Sequence, residues 1–290
     1  MIDYLSTNTS ALIVTVFIVG LLIGSFLNVV IYRLPAMMHR AWAVEVAQFN
    51  SDVDLLDRLQ REPTYNLVTP DSSCPQCGHK IRAWENIPLI SWLMLRARCS
   101  ACHKPISARY PAVELITALL SALVAWQFGW SLTSLCLIPL VWVLVTLTLI
   151  DVDTQLLPDS LTLPLLWAGL LLNSQEIIVS LNSAVIGAAA GYLSLWSIYW
   201  LFKLLTGKDG MGYGDFKLFA AFGAWFGWIA LPLIILLSSL VGAVVGIVMI
   251  LSLGRDRQVP IPFGPYLCGA ALVYIFWGQS IMNWYLGYLV

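Results

Sequence analysis

The sequence predicts an all-α polytopic membrane protein with about eight transmembrane helices and a cytosolic, four-cysteine insert after the first. Three observations predict it. Hydrophobic residues make up 59% of the 290-residue chain and charged residues only 11%, against roughly 25% charged in an ordinary soluble domain. Uncharged apolar runs recur, several near the roughly 20 residues a helix needs to cross a bilayer. The basic residues are also confined: ten of the fifteen Lys and Arg lie between Arg33 and Arg109, and none falls in residues 1–32 or 111–199. The apolar runs make the lipid bilayer the expected partner; the net charge of −1 is uninformative by itself, and no basic groove pattern marks a nucleic-acid partner.

Spans are expected at about 11–32, 111–128, 132–150, 160–173, 182–202, 216–228, 230–252 and 265–287, the fourth and sixth being short for a full crossing. The first begins after Asp3 instead of a basic segment and is long enough to span, so it reads as a retained helix and not as a cleaved signal. The turn at Trp228 to Pro232 is the weakest boundary; joining its flanks would give seven spans. With the N-terminus outside, the inner segments are 33–110, 151–159, 203–215 and 253–264. Every Lys and Arg then lies in one of them or, like Lys203 and Lys217, at a span's inner end. Seven spans would put Arg255 and Arg257 outside, so charge favours eight. Three regions follow: a first transmembrane helix (1–34), a cytosolic insert (35–110) and a membrane-embedded core of about seven helices (111–290). Within the insert, residues 44–62 mix apolar and charged positions at helical spacing and read as a surface helix.

The insert carries Cys74-Pro-Gln-Cys77 and Cys99-Ser-Ala-Cys102, separated by 21 residues. Two such knuckles present four thiolates in a tetrahedron, which suits a structural Zn²⁺ because no position stays open for water. A reducing cytosol disfavours disulfides, although incidental thiol pairs or a transient redox role would share the spacing. Gly78 permits the tight turn after the first pair. His79 and His103 flank a complete tetrad and read as bystanders. Cys136 and Cys268, within spans, read as small hydrophobes.

Acidic residues in or beside spans are costly and call for explanation. Asp151 ends the third span after a long apolar run, and Asp215 opens the sixth directly after Gly212-Tyr213-Gly214. The topology sets both at the cytosolic boundary. Two carboxylates at one depth, sharing a proton because they cannot both ionise at close range, are what aspartyl proteolysis needs: one activates water and the other donates a proton. Gly210, Gly212 and Gly214 would let a peptide approach the backbone closely or allow positive φ. A helix starting at Asp215 would favour its ionised form. The plainer readings are an N-cap for Asp215 and a solvated helix end for Asp151. Asp153 faces away from Asp151 on a continuing helix, Asp159 after Pro158 reads as a helix cap, and Glu114 reads as an ion-pair partner of Arg109.

Taken in order, five segments resemble the type IV prepilin peptidases, the leader peptidase/N-methyltransferase family. They are Gly24-Ser-Phe-Leu-Asn-Val-Val-Ile-Tyr-Arg-Leu-Pro35, the paired knuckles with Glu85-Asn-Ile-Pro-Leu-Ile-Ser-Trp92, Arg109-Tyr-Pro-Ala-Val-Glu114, Ile150-Asp-Val-Asp-Thr-Gln-Leu-Leu-Pro-Asp-Ser-Leu-Thr162, and Gly210-Met-Gly-Tyr-Gly-Asp-Phe-Lys217. The resemblance implies a GxGD-type aspartyl peptidase with Asp151 and Asp215, 64 residues apart in sequence, as its catalytic pair. It implies type IV prepilins and type II secretion pseudopilins as substrates, cut after a short basic leader at the cytosolic face. It also implies methylation of the new N-terminus, usually Phe, from S-adenosyl-L-methionine. The setting it implies is the bacterial inner membrane, where the charge-sorted topology of eight spans puts both termini on the periplasmic side. No GxGxxG motif marks a methyl-donor site, and Arg33 reads as a headgroup anchor. Competing expectations are a leader peptidase without methylation, a non-enzymatic scaffold docking through its zinc knuckles, and a proton-coupled transporter; against the last, the acids cluster at one face.

Overall fold

A computed structural model describes residues 2–253 and 261–287; Arg255 and Arg257 of the expected inner segment lie outside them. The described elements are helical, and the only pairings of strand type among the described residues are two isolated bridges, Ser73 with Lys80 and Arg98 with Pro105. Two compact units form, residues 1–130 and 131–290.

In the first unit, α1 (Ile2–Thr7) leads into α2 (Thr9–Phe49), a 41-residue helix that continues past Pro35. The expected surface helix over 44–62 is therefore two pieces: the end of α2, then α3 (Val53–Arg61). The break is local chemistry. Ser51 takes φ 54°, and the Asp52 side chain caps the new helix by accepting the Leu55 N–H at 3.0 Å. After α4 (Ile90–Met94), α5 (Arg109–Phe128) packs along α2. Gly20 and Gly24 make that approach possible, since a Cβ on either would lie 2.7 Å from the Cα of Ala118 or Glu114. Small residues four apart let two apolar helices touch backbone to backbone, where dispersion and not the hydrophobic effect must hold them.

Arg33 corrects the headgroup-anchor expectation. It is buried, donates to Asn66 O at 3.0 Å and Pro70 O at 2.7 Å, and lies over the Tyr65 ring. Its charge fixes the insert's chain to α2. Glu114 is buried too, and its Oε2 accepts the backbone N–H of Leu89 at 2.9 Å, a contact the expected pairing with Arg109 did not include.

The second unit contains α6 (Leu132–Thr154), α7 (Asp159–Asn173), α8 (Leu181–Thr206), α9 (Tyr213–Phe226), α10 (Leu231–Leu253) and α11 (Gly264–Gly287). Residues 216 and 218–226 of α9 are all buried, the mark of an interior helix. It packs mainly on α8 and α7, meeting α8 where Gly187 faces Gly223. The uncertain turn is a true break: Gly227 takes φ 75° and a short 3₁₀ turn, Trp228–Ala230, precedes α10.

Eight of these helices fall where spans were expected. Five described segments are long and apolar enough to cross a membrane: α2, α5, α6, α8 and Trp228–Leu251. At about 1.5 Å per residue, α7 with 15 residues and α9 with 14 fall short of a hydrocarbon core of about 30 Å. The chain is a multi-pass membrane protein.

Candidate functional site

The stripe that buries α6 also aims its acid. Leu140, Leu144, Leu147 and Ile150 are fully buried, and Asp151 lies one turn beyond Leu147 on that face. Asp151 is 4% exposed, whereas Asp153 points outward, as the spacing required. Gly264, at the start of α11, donates its N–H to Asp151 Oδ2 at 2.9 Å across 113 residues of sequence. The approach requires glycine: a Cβ there would sit 2.6 Å from the same oxygen.

Asp215 lies in the first turn of α9, capped by Gly212, with its N–H donated to Gly212 O at 3.2 Å. It is 7% exposed, and its Oδ1 is buried with no hydrogen-bond partner among the described residues. Both aspartates line one cavity of 410 Å³, with Asp209, Gly210, Gly212 and Gly214. The described lining includes three carboxyl groups and no Lys, Arg or His. The helix-terminus argument that singled out Asp215 extends to Asp151, which faces the N-terminus of α11; Gly264 N–H reaches Asp151 and the Gly212 backbone reaches the Asp215 carboxyl.

None of the three glycines takes a positive φ; Gly210 and Gly214 act by close approach, and Gly212 leaves open space. A Cβ on Gly214 would lie 2.7 Å from Leu157 Cβ, one on Gly210 would lie 2.7 Å from the Phe202 ring, and Gly212 opens toward Asp215 Oδ2. The loop between α8 and α9 is tethered by Asp209, which accepts from the Tyr199 hydroxyl at 2.6 Å and pairs with Lys203 Nζ at 2.8 Å. Those two donors, Lys203 foremost, hold the Asp209 carboxyl below the usual carboxylate range. Asp159 occupies the first turn of α7 without a side-chain cap; both its oxygens accept from Lys217 Nζ at 2.7 Å, tying α7 to α9.

The four insert cysteines converge. Their sulfurs lie within 4.8 Å of one another, with Cys74 and Cys102 at 3.9 Å. A tetrahedral Zn²⁺ with bonds of about 2.3 Å needs edges of about 3.8 Å, so these residues fit a tetrathiolate ion. The two knuckles have the same build. Cys74 and Cys99 each donate N–H to a carbonyl five residues on (His79, Lys104) and accept one from the residue four on (Gly78, His103). Gly78 and His103 take φ 71° and 58° at equivalent places, so His103 does as a non-glycine what Gly78 does freely. Backbone N–H groups of Gln76 and Cys77 bring the Cys74 thiol down to about 7, whereas, against the His79 backbone N–H, burial and the neighbouring thiols push Cys77 up to about 11, so Cys74 is the one of these two held toward the thiolate. His79 is not idle: its Nε2 lies 3.3 Å from Glu85 Oε2 and 3.2 Å from Ser100 Oγ, bracing one knuckle against the other. A second cavity, of 490 Å³, lies between α2 and α3; the Arg40 guanidinium on its wall is already spent on the carbonyls of Leu59, Glu62 and Pro63.

Sequence reasoning missed Gly264, Lys217, Tyr199 and Lys203. Gly264 carried a signal, since Gly264-Pro265 before an apolar run marks a helix start with Pro at its first turn. The partners of Lys217 and Lys203 carried none.

The model for the bacterial peptidase A24 N-terminal domain matches residues 18–128, and that for the type IV leader peptidase family matches residues 138–247. A prepilin leader peptidase/N-methyltransferase of Aeromonas hydrophila is 60% identical over 274 residues, covering 93% of this chain and 92% of its own. The protein so named in Pseudomonas aeruginosa is 52% identical, over 99% of this chain and 97% of its own, and that of Neisseria gonorrhoeae is 51% identical, over 93% of each. No solved structure matches. Two family models covering most of the chain, and relatives matched nearly end to end, place it: the chain belongs to the type IV leader peptidase family.

Proposed function

We propose that this protein removes the short basic leader from type IV prepilins and pseudopilins at the cytosolic face of the bacterial inner membrane, then N-methylates the new N-terminus. Asp151 and Asp215 carry the first step. The observation that supports it most is that two buried aspartates from separate helices share one cavity, one oriented by the Gly264 N–H and the other with an unpartnered oxygen.

At close range the pair holds one proton between them. The ionised carboxylate takes a proton from water as the water oxygen bonds to the scissile carbonyl carbon. The protonated partner gives its proton toward the carbonyl oxygen, and the C–N bond then breaks with proton transfer to the departing amine. The acidic lining suits a basic leader, and the open face of Gly212 suits an extended backbone, which must leave its helix before its carbonyls can be attacked. Zn²⁺ on Cys74, Cys77, Cys99 and Cys102 staples a small insert and has no open position for chemistry. S-adenosyl-L-methionine supplies the methyl group. The described residues build no strand–turn–helix cradle for such a ligand, and no residue is assigned to it. In this reading both termini are periplasmic, residues 35–110 are cytosolic and residues 111–290 form the peptidase core, as the distribution of Lys and Arg supports.

The test is a purified precursor with the enzyme in lipid vesicles. Asp151→Asn and Asp215→Asn should each abolish cleavage while still methylating a precut peptide, and the wild-type product should gain one methyl in mass. Full cleavage by both variants overturns the assignment.

A further inference from the structure

We propose that residues 84–94 form an apolar hook seated in the cytosolic leaflet, with the anionic lipid surface as its partner. The inference rests on the membrane reading of α5 and not on the peptidase reading. Glu114 is five residues into α5, about 7.5 Å along its axis. Its Oε2 accepts the Leu89 N–H at 2.9 Å, so the insert's chain returns to the depth of a membrane helix.

The backbone is bent to make that contact. Leu89 takes φ 57° and ψ −47°, and the Ile90 N–H reaches back to Pro88 O at 2.5 Å, a γ-turn that L residues adopt at a cost. Beyond the turn, α4 presents apolar side chains outward: Leu93 is 67% exposed and Met94 73%, beside exposed Ile90, Ile87 and Trp84. Apolar side chains at the level of a membrane helix belong among acyl chains, as on an interfacial helix. Arg82, Arg96 and Arg98, all exposed, bracket the hook in sequence, where cations meet the phosphates of an anionic leaflet. Glu85, the one acid between Lys80 and Arg109, has its side chain turned inward, 5% exposed.

The full-length enzyme is tested in vesicles of phosphatidylethanolamine and phosphatidylglycerol. A nitroxide is placed on Leu93→Cys or Met94→Cys in a Cys136→Ser background, with retained metal content as the check on folding. At both sites, collisions with oxygen should exceed those with a water-soluble nickel chelate. The ratio should be reversed at Phe49→Cys, which is 90% exposed and lies about 24 Å beyond Arg33 along α2. Chelate collisions dominating at both hook positions would overturn the proposal. So would an oxygen preference that develops only when precursor is added, because the surface would then belong to the substrate. Loss of cleavage in Asp151→Asn with the depth unchanged leaves the hook standing, so the two readings fail separately.

Discussion

Gly264→Ala tests how closely the Asp151 carboxylate is held. The new Cβ would meet Oδ2 at 2.6 Å, Asp151 Cγ at 3.2 Å and Leu157 Cδ2 at 3.2 Å. Ordinary contact begins near 3.4 Å, so the carboxylate or the start of α11 must move by 3.4 − 2.6 = 0.8 Å. A catalytic group tolerates about 0.5 Å of displacement, and about 1 Å costs roughly 100-fold in rate. We therefore expect kcat for leader cleavage to fall roughly 100-fold, about 2.7 kcal/mol of lost transition-state stabilisation. KM should move by less than about threefold, because uniform binding is untouched. The assay is cleavage of a purified precursor in vesicles across a substrate series. Gly269→Ala supplies the control: it lies on the same helix, nothing stands within 4 Å of its added Cβ, and its activity should match wild type. A Gly264→Ala enzyme with unchanged kcat, or one in which only KM rises, refutes the positioning argument.

Three further outcomes are expected. Cys99→Ser should lose bound zinc as read by elemental analysis, whereas Cys268→Ser, buried in the second unit, should keep about one ion per chain. Arg33→Met removes two charge-assisted bonds to Asn66 O and Pro70 O and should destabilise the insert's attachment by about 2–4 kcal/mol, visible as faster proteolysis after Tyr65; Arg33→Lys should recover only part, lacking the fork that reaches both carbonyls. Asp209 is held below its ordinary value by Lys203 and Tyr199. Its stabilisation is therefore present above the unfolded value of about 3.9 and lost as pH falls through the folded value. The protection of the Gly210 and Gly212 amides against exchange, taken relative to the intrinsic rate at each pH, should be higher at neutral pH and fall in acid, and Asp209→Asn should show the lower protection at neutral pH.

Much of the site was legible because its signals are local. The knuckles announced themselves by spacing, and the structure brings all four sulfurs together. The aspartates stood out because acids beside apolar runs are rare, and helical period correctly separated Asp151 from Asp153. Where local pattern was read too smoothly, it misled: residues 44–62 look like one amphipathic helix, yet Asn50-Ser51-Asp52 is a stop and a new cap. Arg33 at a span's end matches every headgroup anchor, and only the fold of residues 66–70 over it removes it from lipid.

The sequence by itself determined the solvent this chain folds in, where its helices lie, which way its charge is sorted and which side chains can ligate metal or carry acid–base chemistry. Each of these follows from run length, period or residue type within a few positions. The tertiary structure decided what those side chains meet: Gly264 on Asp151, Lys217 on Asp159, Glu114 on Leu89 and Arg33 on two carbonyls. Such contacts join residues from 25 to 113 positions apart and leave no periodic trace along the chain. A hydrogen bond needs only a donor and an acceptor brought within reach, and packing alone selects which of the many candidates those will be.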